Sequence, residues 1–302
     1  VTALFGRSGS GKTTIVNAVA GLMRPAQGRI VLDDRVLLDS AQKIWRPPHR
    51  RRVGYIAQEP RLFPHLSVRR NLLYGARFAP RDATRPDFGA VVDLLGLGAL
   101  LDRRPGALSG GEKSRVAIGR ALLSGPQIIL ADEPLAALDG ARKAEILPYF
   151  ERLRDVAEIP MLYVSHATSE VARLATTVVA LESGRVLRSG PAEAVFADAS
   201  VLPLGAREAG AVLTARVVQH HADGLTELAA GGLPLFLPRV DTQAGATIRV
   251  RISAHDVILA RHRPEGLSAL NIVAGRVAEI RRGSQSGVIV ALQTPAGRIL
   301  AR

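Results

Sequence analysis

A glycine-rich segment near the start of the chain has the residue types and spacing of a phosphate-binding loop. It matches the pattern G-x-x-x-x-G-K-[ST] and runs Gly6-Arg7-Ser8-Gly9-Ser10-Gly11-Lys12-Thr13. The glycines let backbone N–H groups turn inward around phosphate oxygens, and a helix beginning at the lysine adds the partial positive charge of its N-terminus. We therefore expect a nucleotide site in which Lys12 reaches the β- and γ-phosphates and the Thr13 hydroxyl binds Mg²⁺.

Two adjacent acids could supply the hydrolytic side of the same site. The apolar run Gln127–Ala131 ends in Asp132 and Glu133. Because α/β folds place ligands at the carboxyl ends of parallel strands, Asp132 is expected to hold Mg²⁺ and Glu133 to polarise an attacking water. The alternative is that these acids only cap a helix.

A second glycine-rich turn and one histidine complete the set of candidate residues. Ser109-Gly110-Gly111 opens a predicted helix and forms another group of N–H donors suited to an anion. His166 follows the apolar run 161–165, so its ring could reach a γ-phosphate. Outside such a context, a histidine at this position would be an ordinary surface residue.

The elements that must position these residues alternate between short apolar runs and helical segments, which predicts an α/β fold with a parallel sheet. We predict strands over 1–5, 53–57, 127–131, 161–165 and 177–182, and helices over 12–22, 89–95, 111–123, 141–157 and 168–174. After a predicted linker over 198–210, the sequence is rich in Val, Ile and Leu punctuated by Gly and Pro. It predicts a small all-β, barrel-like domain with strands over 211–220, 246–253, 256–260, 272–280 and 287–292.

Composition limits the class of protein. A chain of 302 residues with 47% hydrophobic residues can bury a core, which excludes disorder as its main state. No run reaches the ~18 consecutive apolar residues of a transmembrane helix, and the absence of cysteine excludes a disulfide scaffold. Residues 43–85 contain eleven Lys or Arg against Glu59 and Asp82, a net charge of +9. This basic segment fits nucleic acid, lipid headgroups, an acidic partner or a solvated face.

The order of these motifs resembles the ATP-binding cassette family. The resemblance implies an ATP- and Mg²⁺-dependent ATPase in residues 1–200, with Gln58 as a catalytic and Mg²⁺-binding residue, His166 as the switch histidine, and Thr14 and Asp139, in Ala137-Leu138-Asp139, as further nucleotide contacts. It also implies a head-to-tail homodimer, in which the phosphate loop of one chain and the Ser109-Gly110-Gly111 turn of the other enclose the same ATP. The family carries an adenine-stacking aromatic residue before the loop, and we expect the natural chain to begin earlier and to end later.

Within that family, several stretches are similar to the ATP-binding subunits of molybdate importers: 47–55, 61–68, 133–139, 145–149 and 268–271. The similarity implies a peripheral subunit on the cytoplasmic face of the membrane. It would power uptake of molybdate or a related oxyanion through permease subunits and, indirectly, a substrate-binding protein, without nucleic acid. Residues 211–302 would form a regulatory barrel (OB-, TOBE- or Mop-like). There Leu270 replaces an arginine of the Ser-Ala-Arg-Asn element, so oxyanion binding by the barrel stays open.

Three alternatives remain at this stage. The ATPase could serve a sulfate, iron or sugar importer with the same type of C-terminal domain. The basic segment could instead belong to a cassette ATPase that acts with nucleic acid. The third alternative, an oxyanion-sensing barrel on an inactive ATPase, conflicts with the presence of Lys12, Asp132, Glu133 and His166.

Overall fold

The computed structural model describes residues 1–79, 83, 85–136, 138–156, 159–196, 198, 210–282 and 288–302. It divides into two compact units, Val1–Val186 and Leu187–Arg302. Except for its two end residues, the predicted linker 198–210 lies outside the described residues, as do Ala137, Arg81 and Asp82. The domain limits 1–200 and 211–302 therefore stay predictions.

The first unit is built mainly of strands that run parallel and helices that connect them. Its strands are β1 (Thr2–Phe5), β2 (Arg29–Leu32), β3 (Arg35–Asp39), β4 (Ile44–Trp45), β5 (Val53–Ile56), β6 (Ile128–Asp132), β7 (Met161–Ser165) and β8 (Thr177–Glu182), and β9 (Arg185–Pro191) begins in it. Its helices are α1 (Lys12–Ala20), α2 (Val68–Leu72), α3 (Phe88–Leu94), α4 (Gly110–Leu123), α5 (Gly140–Val156) and α6 (Thr168–Leu174). Short 3-10 turns lie at 48–50, 75–77, 98–100 and 105–107.

The main sheet brings the ends of the predicted site strands to one edge. Its order is β5-β6-β7-β1-β8-β9, and the ladders from β5 to β8 are parallel. The register aligns Phe5 with Ser165 and Asp132 with Val164. The residues that follow β1, β5, β6 and β7 therefore lie at the same carboxyl edge, where α/β folds bind ligands.

Successive side chains of each strand point to opposite faces of the sheet, and both faces are covered by apolar side chains. Leu4, Leu130 and Val164 pack with Val16 and Ala20 of α1 on one face. On the other face, the adjacent strand residues Ile129, Ala131 and Tyr163 join a larger cluster with side chains of α4 and α5. The sheet that carries the site is thus held between two apolar layers.

The predicted α/β architecture is confirmed, with shifts of one or two residues at several ends. The helix predicted over 12–22 ends at Ala20 because Gly21 adopts a left-handed conformation (φ 78°) and caps it. The helix predicted over 141–157 ends at Val156 in the described residues, and residue 157 lies outside them. Neither the antiparallel sheet β2-β3-β4 nor α2 was predicted from the residue pattern.

In its described residues, the second unit consists of β-strands and one short helix, α7 (Ala192–Phe196). After β9, its strands are β10 (Gly210–His220), β11 (Leu225–Ala230), β12 (Leu233–Pro238), β13 (Thr247–Ser253), β14 (Arg276–Arg282), β15 (Val288–Thr294) and β16 (Gly297–Ala301). Sheets β12-β11-β10-β13 and β14-β15-β16 are both antiparallel. Ile299 of β16 joins the core of the four-stranded sheet, so the two sheets share one apolar interior.

One detail of the β prediction was wrong. Residues 256–260 are not a strand: the segment is irregular, and Ile258 is 78% exposed. The predicted small all-β character of the C-terminal region is confirmed by the two antiparallel sheets. No helix among the described residues is long and apolar enough to cross a membrane.

Candidate functional site

The loop Gly6–Gly11 connects β1 to α1 and is held in a shape that only glycine allows at its start. Gly6 has φ 154°, and a Cβ there would lie 2.2 Å from the carbonyl oxygen of Leu181. Gly9 and Gly11 also have positive φ, and Gly11 caps the N-terminus of α1. Arg7, Ser8 and Gly9 are exposed, so the N–H groups around them and at the start of α1 are accessible to an anion.

Lys12 is buried at the base of this loop. Its Nζ donates to the carbonyl oxygens of Gly6 at 2.9 Å and Arg7 at 2.8 Å, and lies 4.0 Å from Glu133 Oε1. Burial lowers the pKa of Lys12, while the charges of Glu133 and Asp132 raise it and so oppose that shift. The loop's own carbonyls thus hold a buried ammonium group beside two acids and next to the exposed N–H groups.

Asp132 is oriented from two sides by hydroxyl groups. Thr13 Oγ1 donates to Asp132 Oδ1 at 3.1 Å, and the Tyr55 hydroxyl lies 3.2 Å from Asp132 Oδ2. Burial, with the neighbouring charge of Asp132, raises the pKa of Tyr55 to about 12, so the hydroxyl keeps its proton for donation. The Tyr55 hydroxyl also lies 3.3 Å from Asn17 Oδ1.

The paired oxygens of Thr13 and Asp132 fit Mg²⁺, which prefers hard oxygen ligands and takes few of them from protein when phosphates supply the rest. Tyr55 and Asn17 were missed by sequence reasoning. Tyr55 is the third residue of β5 and looks like an ordinary strand aromatic. Its approach to Asp132 depends on the neighbouring position of β5 and β6, which the sequence does not specify.

Glu133 and His166 meet directly. His166 Nδ1 lies 3.3 Å from Glu133 Oε1. Glu133 has a left-handed backbone (φ 46°), which is unfavourable for a residue with a side chain and occurs where surrounding contacts enforce it. One such contact is the bond from the Glu133 N–H to the carbonyl oxygen of Val164 on β7. The predicted members Lys12, Thr13, Asp132, Glu133 and His166 therefore form one cluster.

Comparison with known proteins identifies the family of the chain. The profile of the ABC transporter family matches residues 1–136. The molybdenum import ATP-binding protein ModC of Mesorhizobium japonicum is 53% identical over 100% of this chain and 82% of its own length. The protein of the same name from Rhizobium meliloti is 52% identical over 100% of this chain and 85% of its own length. The chain belongs to the family of molybdenum import ATP-binding proteins.

Solved structures with the same fold include cassettes captured as dimers. A dimeric ATP-binding cassette bound to ADP and inorganic phosphate is 28% identical, with a TM-score of 0.52 over 63% of this chain and 84% of that chain. The cbiO1 protein of Clostridium perfringens, part of the ABC transporter complex cbiONQ, gives a TM-score of 0.55 at 28% identity over 65% and 79% of the two chains. An ATP-binding fold is thus established for the first unit.

Three residues that the sequence predicts for the site are bound or exposed elsewhere within the single chain. Ser109 caps α4: its Oγ accepts from the Glu112 N–H at 3.2 Å, and its own N–H donates to Glu112 Oε2 at 2.6 Å. Asp139 caps α5 through the Arg142 N–H at 2.9 Å. Gln58 is exposed, two residues after β5. Among the described residues, no hydrogen bond or ion pair joins any of the three to Lys12, Thr13 or Glu133.

The segment that follows Gln58 is anchored to the helices. Arg120 of α4 donates to the carbonyl oxygens of Pro60 and Arg61, both at 2.9 Å. The buried Asn71 of α2 accepts from the Phe63 N–H at 2.8 Å and donates to three carbonyl oxygens of residues 63–67. Movement of the helices would therefore be carried to the loop that contains Gln58.

The charge of the basic segment 43–85 suggested that all its cations lie on the surface, but one of them is buried. Arg51 is fully buried and donates to the carbonyl oxygens of Ala18 and Val19 at the end of α1 and to that of Arg46. This arginine is a structural cap and not a surface charge. The exposed cations of the described segment are Lys43, Arg50, Arg61, Arg69, Arg70, Arg77 and Arg85.

Proposed function

We propose that this protein is the ATP-hydrolysing subunit of an importer for molybdate, working as a homodimer at the cytoplasmic face of a membrane. The observation that carries the proposal is the cluster of Lys12, Thr13, Asp132, Glu133 and His166 at one edge of the sheet. Identity above 50% to proteins named for molybdenum import supports the choice of cargo.

In this mechanism the phosphate loop binds the nucleotide and Glu133 drives hydrolysis. The N–H groups around Gly9 and at the start of α1 hold the phosphates, and Lys12 leaves its loop carbonyls to contact the β- and γ-phosphates. Glu133 accepts a proton from the water that attacks the γ-phosphorus, while the bond to the bridging oxygen breaks and ADP leaves. His166, held beside Glu133, contacts the γ-phosphate and stabilises its developing charge.

Thr13 and Asp132 would hold Mg²⁺, with Gln58 joining when its loop moves inward. The ion would neutralise charge on the β- and γ-phosphates. Tyr55 keeps Asp132 turned toward Thr13, because its hydroxyl occupies the other carboxylate oxygen.

The site is completed by a second copy of the chain. Ser109 caps a 14-residue helix that begins with Gly110 and Gly111 and presents N–H groups, yet the described partners of Lys12 within one chain are Gly6, Arg7 and Glu133. Head-to-tail pairing would bring them over the phosphate loop of the partner and create two equivalent sites. Asp139, exposed before α5, would lie at the same interface.

Mixing two inactive variants tests this composite site. In a heterodimer of Lys12→Ala and Ser109→Arg chains, both lesions fall in one site and the other site is intact. With random pairing and independent sites, about one quarter of wild-type ATPase activity should return. Each variant mixed with itself is the control. A mixture as inactive as either parent would refute the head-to-tail arrangement.

The permease would dock on the exposed surface of 69–78. Arg69, Arg70 and Arg77 are exposed there beside Phe78, which is 72% exposed. A cavity of about 320 Å³ lined by Phe63, Tyr74 and Arg120, among others, lies in the same part of the unit. Basic side chains here surround apolar side chains and a cavity. Such a surface suits an amphipathic helix of a membrane partner.

Charge reversal separates docking from catalysis. The variant Arg69→Glu/Arg70→Glu should weaken permease assembly, with a strong salt dependence in the wild type, and leave soluble ATPase activity within about twofold. The matched control Arg24→Glu/Arg185→Glu changes the same charge at other exposed positions. Loss of ATPase activity in the first variant would show that this surface serves the cassette itself.

The second unit gives little support for a strong oxyanion site at 268–271. Asn271 is engaged with the backbone of Phe236, accepting from its N–H at 2.7 Å and donating to its carbonyl at 2.8 Å. Leu270 is 60% exposed and offers no donor. We therefore assign the choice of cargo mainly to the permease and the substrate-binding protein.

A further inference from the structure

Glu170 of α6 is a buried carboxylate that binds one group of α5 and two groups of β7. The residue is 4% exposed. Its Oε1 accepts from Lys143 Nζ at 2.9 Å, and its Oε2 accepts from the hydroxyls of Ser165 at 2.8 Å and Tyr163 at 3.1 Å. A carboxylate removed from water is unfavourable unless such donors surround it. The cluster is therefore a defined arrangement and not a chance surface contact.

This cluster controls the backbone on both sides of His166. Ser165 immediately precedes His166, and its Oγ also accepts from the N–H of Ala167, which immediately follows, at 3.0 Å. The proton of Ser165 is held by Glu170, so its oxygen lone pairs are turned to Ala167. The His166 side chain is itself 54% exposed. Its position thus depends on this turn more than on packing.

Lys143 extends the cluster to Asp139. The Lys143 N–H donates to the carbonyl oxygen of Asp139 at 2.9 Å, while its ammonium group binds Glu170. A continuous path of contacts then runs from Asp139 through Lys143, Glu170 and Ser165 to the turn of His166. Asp139 is exposed at the start of α5, whereas His166 faces Glu133.

We propose that Glu170 is the positioning residue of His166, and that the Lys143–Glu170 ion pair ties the segment of Asp139 to it. The inference rests on the proposed role of His166 at the γ-phosphate. It adds that contact between a partner chain and Asp139 would shift the position of His166 in the chain that carries this Asp139, through the Lys143–Glu170 pair.

A purely structural role is the competing explanation, and the chain offers a matched control for it. Arg173 of α6 and Glu151 of α5 form a bidentate ion pair, with both bonds 2.8 Å long. This pair joins the same two helices as Lys143 and Glu170 but includes no group of the His166 turn. Glu151→Gln therefore loosens the helix contact without altering the turn.

The test compares steady-state ATPase kinetics of the full-length protein carrying Glu170→Gln, Lys143→Gln, both changes together, or Glu151→Gln. A glutamine side chain has only one acceptor oxygen, so in Glu170→Gln either Lys143 or the hydroxyls of Ser165 and Tyr163 lose their acceptor. The kcat should then fall by roughly 10- to 100-fold because a misplacement of about 1 Å has that effect. KM for ATP should stay within about twofold. The double variant pairs two amides and should recover most of kcat, and Glu151→Gln should keep the wild-type kcat.

His166→Ala in the same series distinguishes the role of His166 from the role of Glu170. If it is inactive while Glu170→Gln and Lys143→Gln keep the wild-type kcat, the positioning role is refuted and the proposed function stands. Equal losses in Glu151→Gln and Glu170→Gln, without recovery in the double variant, would also overturn the inference. A His166→Ala variant with full kcat would contradict the proposed function and this inference with it. Should Glu170→Gln fail to fold, Lys143→Gln against Glu151→Gln gives the same decision.

Discussion

Removal of Arg51 should destabilise the first unit by about 3 kcal/mol. The side chain is fully buried, and it donates to Arg46 O at 2.7 Å, Ala18 O at 2.6 Å and Val19 O at 3.0 Å. Arg51→Met keeps the aliphatic stem but removes all three bonds, each worth about 1 kcal/mol net. The carbonyl oxygen of Val19 loses a donor and adds to the loss, whereas that of Ala18 still accepts from the Gly21 N–H at 3.2 Å. Burial of the guanidinium is unfavourable and lowers the pKa of Arg51. Removal of this buried charge therefore offsets part of the lost stability.

Urea unfolding followed by tryptophan fluorescence measures this loss of stability in the first unit, which contains both Arg51 and Trp45. Trp45 is the only tryptophan of the chain, and Arg51 lies 5.9 Å from the centre of its ring. With a slope of roughly 2–3 kcal/mol per M, the midpoint should fall by about 1–1.5 M. Arg50→Met, an exposed neighbour, is the control and should shift stability by less than about 0.5 kcal/mol. If Arg51→Met behaves like that control, α1 does not depend on this cap.

Three further outcomes follow from the site. Glu133→Gln should bind ATP, lose roughly 10²- to 10⁴-fold in turnover and elute as a dimer with ATP, and a normal rate would contradict its role as base. Tyr55→Phe should raise the Mg²⁺ concentration for half-maximal ATPase activity roughly tenfold, because Asp132 loses an orienting donor, and an unchanged Mg²⁺ titration would count against it. The Ser109 N–H lowers the pKa of Glu112, so its stabilisation is present at neutral pH and lost on acidification through that lowered pKa. Glu112→Gln should therefore differ from wild type by about 0.3–1 kcal/mol at pH 7 and by less at acid pH in urea titrations.

The parallel strands of the first unit could be predicted because each combines an apolar run with a polar residue at its carboxyl end. Buried strands such as β6 and β7 are apolar on both faces, so each is recognised as a run of consecutive apolar residues. The phosphate loop was equally clear, since glycine, lysine and threonine are needed at fixed positions. The cluster with Glu133 and His166 then followed from the shared edge of the sheet.

Other features depend on contacts between distant residues and leave no local pattern. Strands β2, β3 and β4 are short and partly exposed, and their apolar runs of two or three residues are flanked by charged residues. Arg51 lies in a run of three arginines, so its burial depends on the carbonyl groups that α1 presents to it. Glu170 resembles an ordinary helix-surface acid until Lys143 and Ser165 are brought against it.

Apolar runs also misled the strand prediction in the second unit. Residues 256–260 contain Val257, Ile258 and Leu259, which favour a strand by type. In the structure the segment is irregular, with Ile258 and Leu259 exposed. Strand propensity acts only where a neighbouring strand supplies hydrogen bonds, and no partner strand pairs with this segment among the ladders described.

Uptake of labelled molybdate tests the central claim most directly. The full-length protein would be reconstituted in vesicles with its permease and substrate-binding protein, with ATP enclosed and sulfate or maltose added as competitor. We predict ATP-dependent accumulation of molybdate that maltose does not reduce and that Glu133→Gln abolishes. Accumulation of maltose in place of molybdate would contradict the cargo. Accumulation of molybdate that persists in Glu133→Gln would contradict the proposal that hydrolysis at this site powers transport.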